Sequence, residues 1–147
     1  MQNAARPSLT AAVILAAGAS SRMGSPKALL VVNGRTVLEI VAGAFLAAQV
    51  GDITVVTGFH HDKIQAQAAR LGLKTARNAQ PQQGMYSSVK TGLAALPDEA
   101  QAVFIQPVDA LGVRPDTLRA MLEALAGGFQ AVVPVFSGKR GHPVLLS

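Results

Sequence analysis

The sequence predicts an α/β fold with a mostly parallel sheet. Three observations point there. Apolar runs of strand length alternate along the chain with longer segments of helical spacing, the pattern that right-handed strand–helix–strand crossovers leave in a sequence. The first run, residues 12–16 (AVILA), is apolar without alternation, as expected of a strand covered on both faces. The composition also suffices for one core: the 147 residues are 50% hydrophobic and 14% charged, and a chain near 150 residues buries about 70% of its unfolded surface. A single domain over residues 11–147 is expected, preceded by a loose leader over residues 1–10.

Each element has a local reason. Residues 12–16 end at Gly18 and form the first strand. Thr36-Val37-Leu38-Glu39 has the form of a capping box, in which the threonine accepts from the third helical amide, and Ile40, Val41, Ala44 and Phe45 continue at helical spacing. Residues 53–57 (ITVVT) before Gly58 form the second strand, 61–71 a helix closed by Gly72, and 73–76 the third strand. A helix over 85–96 stops at Pro97. Residues 102–108 (AVFIQPV) make the fourth strand, and 115–126 a helix with proline in its first turn and Gly127-Gly128 beyond its end. Residues 131–136 are expected to form the fifth strand.

Several function classes are excluded. With no cysteine, the chain has no disulfide, thiolate nucleophile, iron–sulfur cluster or zinc-thiolate site. No apolar run approaches the roughly 20 residues that span a bilayer, so no membrane partner is expected. The net charge of +5 comes from 13 Lys+Arg spread thinly, with Lys139-Arg140 as the one adjacent pair, and aromatics are 4%. Scattered cations with few stacking platforms argue against a nucleic-acid partner. A cytoplasmic location is expected.

Ligands of open α/β sheets bind beyond the carboxyl ends of the strands. The loops there, 18–27, 58–61, 78–84 and 109–113, hold nearly all the polar residues that could do chemistry. The first reads Leu15-Ala16-Ala17-Gly18-Ala19-Ser20-Ser21-Arg22-Met23-Gly24-Ser25-Pro26-Lys27. Small residues let the backbone approach a ligand, successive amides form a concavity for anionic oxygens, and Arg22 and Lys27 add charge. The string is neither a G-x-G-x-x-G fingerprint nor a Walker A loop. A phosphate site of another type, or a glycine-rich turn with two solvated cations, fits these residues. Asp109 reads equally as a metal ligand or a turn aspartate, Asn78 as a base or ribose contact or a capping residue. Ser87 and Ser88, in the first turn of a helix after Gly84, suit either the backbone or a substrate. His60 and His61 have no third partner at metal spacing.

The whole string from Leu15 to Lys27 resembles the signature L-A-A-G-x-S-x-R-M-G-x-x-K of the MobA-like NTP transferases, the nucleotidyltransferases related to molybdenum cofactor enzymes. The likeness continues at Asn78, at Gly84-Met85-Tyr86-Ser87-Ser88, at Pro107-Val108-Asp109 and at Gly141-His142-Pro143-Val144. Within the family the chain is more similar to the CTP-using cytidylyltransferases, since the guanylyltransferases usually have L-A-G-G where this chain has Leu15-Ala16-Ala17-Gly18. The resemblance implies a three-layer, Rossmann-like nucleotidyltransferase fold and transfer of CMP from CTP to a phosphorylated pterin, with a molybdoenzyme or its chaperone as an onward partner. It implies that Leu15, Ala16, Ala17, Gly18 and Ala19, with Asn78, Gly84, Ser87 and His142, meet substrate. Arg22 and Lys27 would neutralise the triphosphate, and Asp109 would bind Mg²⁺, whose hard chemistry suits carboxylate and phosphate oxygens. No general base is needed, because the attacking phosphate oxygen is already anionic, and positioning and charge neutralisation do the work.

Two departures stand out. The family commonly has D-x-P-L-V where this chain has Asp109-Ala110-Leu111-Gly112-Val113. A loop of different shape, or a looser one, is expected without the proline. The chain also ends at Ser147, short of the family's length, so a nucleotide- or cofactor-binding module without turnover is an alternative. A sugar-phosphate nucleotidyltransferase is another.

Overall fold

The computed structural model describes residues 9–19 and 24–147. Strand β1, Thr10–Ala16, lies at the centre of a six-stranded sheet, and its residues from Ala11 onward are buried. After the loop, a 3-10 turn over Lys27–Leu29 leads into a small hairpin, β2 (Val31–Val32) and β3 (Arg35–Thr36). Its connection is Asn33-Gly34, both at positive φ (50° and 81°), the residues and angles that match the twist of a two-residue hairpin. Helix α1, Val37–Ala47, then starts as expected: the Thr36 hydroxyl accepts from the Glu39 amide at 3.2 Å. The Glu39 carboxylate meets the Arg35 guanidinium at 3.5 Å.

The chain continues through β4 (Asp52–Thr57), α2 (His61–Arg70), β5 (Lys74–Arg77), α3 (Met85–Ala94), β6 (Ala102–Pro107) and α4 (Pro115–Ala126). These follow the expected elements to within one or two residues at their ends. The sheet order is β5–β4–β1–β6–β10–β7, where β7 is Ala131–Val132 and β10 is Val144–Leu146. Strands β5, β4, β1 and β6 are parallel, with Val13 opposite Thr54 on one side and Ile105 on the other. Strand β10 runs antiparallel between β6 and β7.

The expected fifth strand over 131–136 is two separate pieces. Residues 131 and 132 join the sheet, whereas β8 (Val135–Phe136) turns away and pairs with β9 (Lys139–Arg140). Pro134 stands between them, and proline has no amide to continue a ladder.

Helices cover both faces, giving three layers. One core joins Ala12, Ile14, Phe45, Ile64, Phe104 and Leu118, so it lies between the sheet and α1, α2 and α4. The Phe45 and Phe104 rings pack at 5.4 Å. The other core holds Val13, Leu15, Val56 and Val103 under α3. Alternate residues of β1 serve the two cores, which is why its run is apolar throughout. Gly92 lets α3 approach closely: a methyl there would overlap the Val13 side chain.

Candidate active site

The order of the sheet reverses at β1: β4 and β5 lie on one side of it and β6 on the other. The carboxyl ends of β1 and β6 therefore open a crevice where the connections diverge. The two ends are tied together, since the Val108 amide donates to the Leu15 carbonyl at 3.0 Å. A cavity of ≈ 780 Å³ fills the crevice. Leu15, Ala16, Ala17, Gly18 and Ala19 form one wall, Pro107, Val108 and Asp109 another, and Pro81, Gln82, Gly84, Met85 and Ser88 a third.

Lys27 enters from the 3-10 turn. The Leu29 amide donates to the Pro26 carbonyl, and Ala28 is buried at 1% exposure, which anchors the turn. Lys27 Nζ then lies 3.3 Å from Asp109 Oδ2, both side chains about half exposed (46% and 54%). Pairs so exposed contribute little to folding, about 0–1 kcal/mol. Opposite charges 82 residues apart in sequence meet at the cavity.

The loop after β4 braces the loop after β1. The Phe59 amide donates to the Ala17 carbonyl at 3.4 Å, and His60 Nε2 lies 2.6 Å from the Ala19 carbonyl, which can only accept, so this nitrogen carries the proton. Gly58 makes this approach possible: a Cβ there would sit 2.7 Å from the Ala17 oxygen. His61 is held by Thr57, Nδ1 to Oγ1 at 2.7 Å.

Asn78 organises the third wall from behind. Its Nδ2 donates to the Ser87 and Ser88 hydroxyls at 2.8 and 3.0 Å, and its Oδ1 accepts from the Gln80 amide at 2.9 Å. Gly84, at φ 91°, occupies a conformation that side chains disfavour and starts α3. The Asp109 turn is likewise held: Gln106, fully buried, donates through Nε2 to the Pro107 carbonyl at 2.9 Å and the Ala110 carbonyl at 2.8 Å. The turn also closes on itself, with Ala110 N to Pro107 O at 3.2 Å and Leu111 N to Asp109 O at 3.0 Å. Where a looser loop was expected without proline, a buried carboxamide ties it down.

Residues 12–147 match the model of the MobA-like NTP transferase domain. The chain belongs to this family. A bifunctional protein GlmU from Bordetella petrii is 33% identical over 135 residues, covering 88% of this chain and 29% of that protein. A 2-C-methyl-D-erythritol 4-phosphate cytidylyltransferase from Streptomyces avermitilis is 35% identical over 145 residues, covering 91% and 58%. A probable molybdenum cofactor guanylyltransferase from Bacillus cereus is 27% identical over 135 residues, covering 92% and 66%. The chain thus spans about 30% of the length of its GlmU relatives. Among solved structures, Rv0371c from Mycobacterium tuberculosis superimposes with a TM-score of 0.82 at 25% identity, covering 95% of this chain and 71% of that one. Its complex with manganese gives 0.77 at 24% identity over 95% and 71%.

In this MobA-like NTP transferase domain the structure brings Leu15, Ala16, Ala17, Gly18, Ala19, Lys27, Gly84 and Asp109 around one cavity. Asn78 and Ser87 stand behind that wall, bonded to each other, and Ser88 lines the cavity instead. His142 is exposed and outside the lining, on the segment that enters β10. Arg22 lies outside the described residues, as does most of the leader expected over 1–10. The sequence marks the 58–61 loop as a strand-end segment but singles out no residue in it as a cavity wall. Phe59, half exposed at 52%, lines the cavity beside Ala19, and its signal was an aromatic directly after a strand-ending glycine. Among the described residues no cluster of three or more His, Asp or Glu side chains forms a preassembled metal cage, and no helix is long and apolar enough to cross a membrane.

Proposed function

We propose that this domain transfers CMP from CTP to the phosphate of a molybdopterin-type acceptor in a Mg²⁺-dependent reaction. An acceptor phosphate oxygen attacks the α-phosphorus, the bond to the β-phosphate breaks, and pyrophosphate leaves with its electrons. The observation that carries the reading is Lys27 Nζ set 3.3 Å from Asp109 Oδ2 on the wall of a cavity whose other wall is the small-residue loop after β1.

Each group has a task that its position suits. The backbone from Ala17 to Ala19 presents no bulky side chain, so phosphate oxygens can approach its amides. Lys27 offers a point charge to the triphosphate and to the leaving pyrophosphate. Arg22 adds a second positive charge in this reading. Asp109 fits a divalent ion: Mg²⁺ is usually held by one or two carboxylates plus substrate phosphates, and a single half-exposed carboxylate at the cavity meets that need. The manganese complex of the Mycobacterium tuberculosis protein supports a divalent ion here. When bound, the ion supplies Lewis-acid charge stabilisation to the phosphates. Gln82, Gly84 and Ser88 line the cavity, and in this reading their wall would meet base and ribose. Ala17, in the position where guanylyltransferases carry glycine, and the cytidylyltransferase at 35% identity support CTP. Asn78 and Ser87 serve by holding that wall, and in this reading His142, on the segment that enters β10 beside β6, would meet the acceptor. A cytoplasmic molybdoenzyme or its chaperone would receive the product.

The test is pyrophosphate release across the four nucleoside triphosphates with Mg²⁺, given a phosphorylated pterin, a sugar phosphate or methylerythritol phosphate as acceptor. CTP with the pterin is expected to lead, and Lys27→Ala and Asp109→Ala to abolish turnover. GTP preference or a different acceptor overturns the specificity. CTP binding without release marks a binding module. Undiminished release in either variant removes that residue from the mechanism.

A further inference from the structure

Gln106 is a polar side chain at a position where the strand pattern calls for an apolar one. It is fully buried, at 0% exposure, two residues after the core phenylalanine of β6, Phe104. Both of its amide hydrogens go to carbonyls that bracket Asp109: Pro107 O at 2.9 Å and Ala110 O at 2.8 Å. Two carbonyl acceptors require the NH₂ end of the carboxamide to face them, which fixes its orientation. Its Oε1 is then left buried with no partner among the described residues. An unsatisfied buried oxygen is destabilising, and an apolar residue of the same size would avoid that cost. The side chain is therefore poorly explained by folding and well explained by the turn it holds.

We propose that Gln106 is a positioning residue for the Asp109 carboxylate. Proline, which would fix a backbone angle in this turn, is missing after Asp109, and the buried carboxamide supplies the restraint from below instead. With both flanking carbonyls held, Asp109 projects from a turn that has little freedom, and its Oδ2 stays within reach of Lys27. The proposal rests on Asp109 acting at the site, as argued above, but the restraint itself can be measured without turnover.

The experiment compares the full chain with Gln106→Met and Gln106→Glu. Met keeps the volume and removes the orphaned oxygen but leaves the Ala110 carbonyl without its donor, so these effects partly offset and its melting temperature should fall less than that of Gln106→Glu. Glu replaces the donor with an acceptor against two carbonyls. Amide hydrogen exchange at Ala110 and Leu111 should quicken roughly 30-fold in Gln106→Met, the factor carried by two hydrogen bonds of ordinary net strength. Binding of Mn²⁺ with CTP, read by paramagnetic resonance, should weaken about 10- to 100-fold, as expected when a partner behind a metal-binding carboxylate is lost. The proposal is overturned if exchange at 110 and 111 is unchanged. It is also overturned if exchange quickens while Mn²⁺ binding holds and Asp109→Ala abolishes that binding. If Asp109→Ala leaves Mn²⁺ binding intact, the reading of Asp109 fails instead, and faster exchange still establishes the brace.

Discussion

Gly58→Ala tests how the cavity wall is built. The added carbon would lie 2.7 Å from the Ala17 oxygen and 2.8 Å from both the Ala17 and Pro81 Cβ atoms. Carbon contacts settle at about 3.5–4.0 Å, so the three neighbours would have to give way by roughly 0.7 Å or more. None is the tip of a flexible chain: one is backbone, one an alanine methyl and one a proline ring. Overpacking of this kind costs about 1–3 kcal/mol. At about 4 °C per kcal/mol for a domain of this size, the melting temperature should fall by about 4–12 °C. Ala17 and Pro81 both line the cavity, so CTP affinity with Mg²⁺, measured calorimetrically, should fall as well. Gly18→Ala is the control: no described atom lies within 4 Å of its added carbon, so its melting temperature should hold within about 2 °C. Its nucleotide affinity should still drop, because the methyl enters the cavity wall that the proposed function gives to the triphosphate. A Gly58→Ala protein that melts and binds CTP like the parent would refute the packing argument.

Other substitutions probe the frame of the site. Thr36→Ala removes the cap of α1 and the acceptor for Gln67 Nε2 at 3.2 Å, so urea denaturation should show a loss of about 1–2 kcal/mol, largely restored by Thr36→Ser. Gly92→Ala should destabilise by about 1–3 kcal/mol in thermal melts despite alanine's better helix propensity, since its methyl overlaps Val13. Adding Val13→Ala should then recover part of the loss, and strict additivity of the two changes would count against direct contact. Asn78→Ala strips donors from Ser87 and Ser88 and an acceptor from the Gln80 amide in a buried setting, and equilibrium unfolding should record about 1–3 kcal/mol.

The parts of the fold that were legible in the sequence are those whose neighbours are regular. β1, β4 and β6 are covered on both faces, so each leaves a largely apolar run, and the helices carry local signals: the Thr36 cap before α1, Gly72 after α2 and proline at the start of α4. The β2–β3 hairpin escaped because each strand has two residues, too few for a period, although Asn33-Gly34 carried the turn signal. Residues 131–136 misled because Val132, Val135 and Phe136 look alike as apolar residues while Pro134 decides where pairing ends. At the site, the loop after β1 and Asp109 were legible because the signature is contiguous and the strand ends are predictable. The bonds from Asn78 to Ser87 and Ser88, and from Gln106 to the Asp109 turn, depend on side-chain direction, which no spacing rule encodes.

The contact between Lys27 and Asp109 has a thermodynamic consequence. The two groups satisfy one another in the resting site, with neither buried deeply enough to be strongly desolvated. An anion arriving alone gains Lys27 but faces the carboxylate that Lys27 had been neutralising. A cation arriving alone gains Asp109 and faces the ammonium. When both arrive together, each protein charge exchanges one partner for another, and the repulsions cancel. In the proposed reaction the two ligands would thereby be linked: whatever factor the cation adds to the affinity for the polyanion, the polyanion must add to the affinity for the cation. Under the proposed function, a site built this way would select the neutralised complex over either free ion.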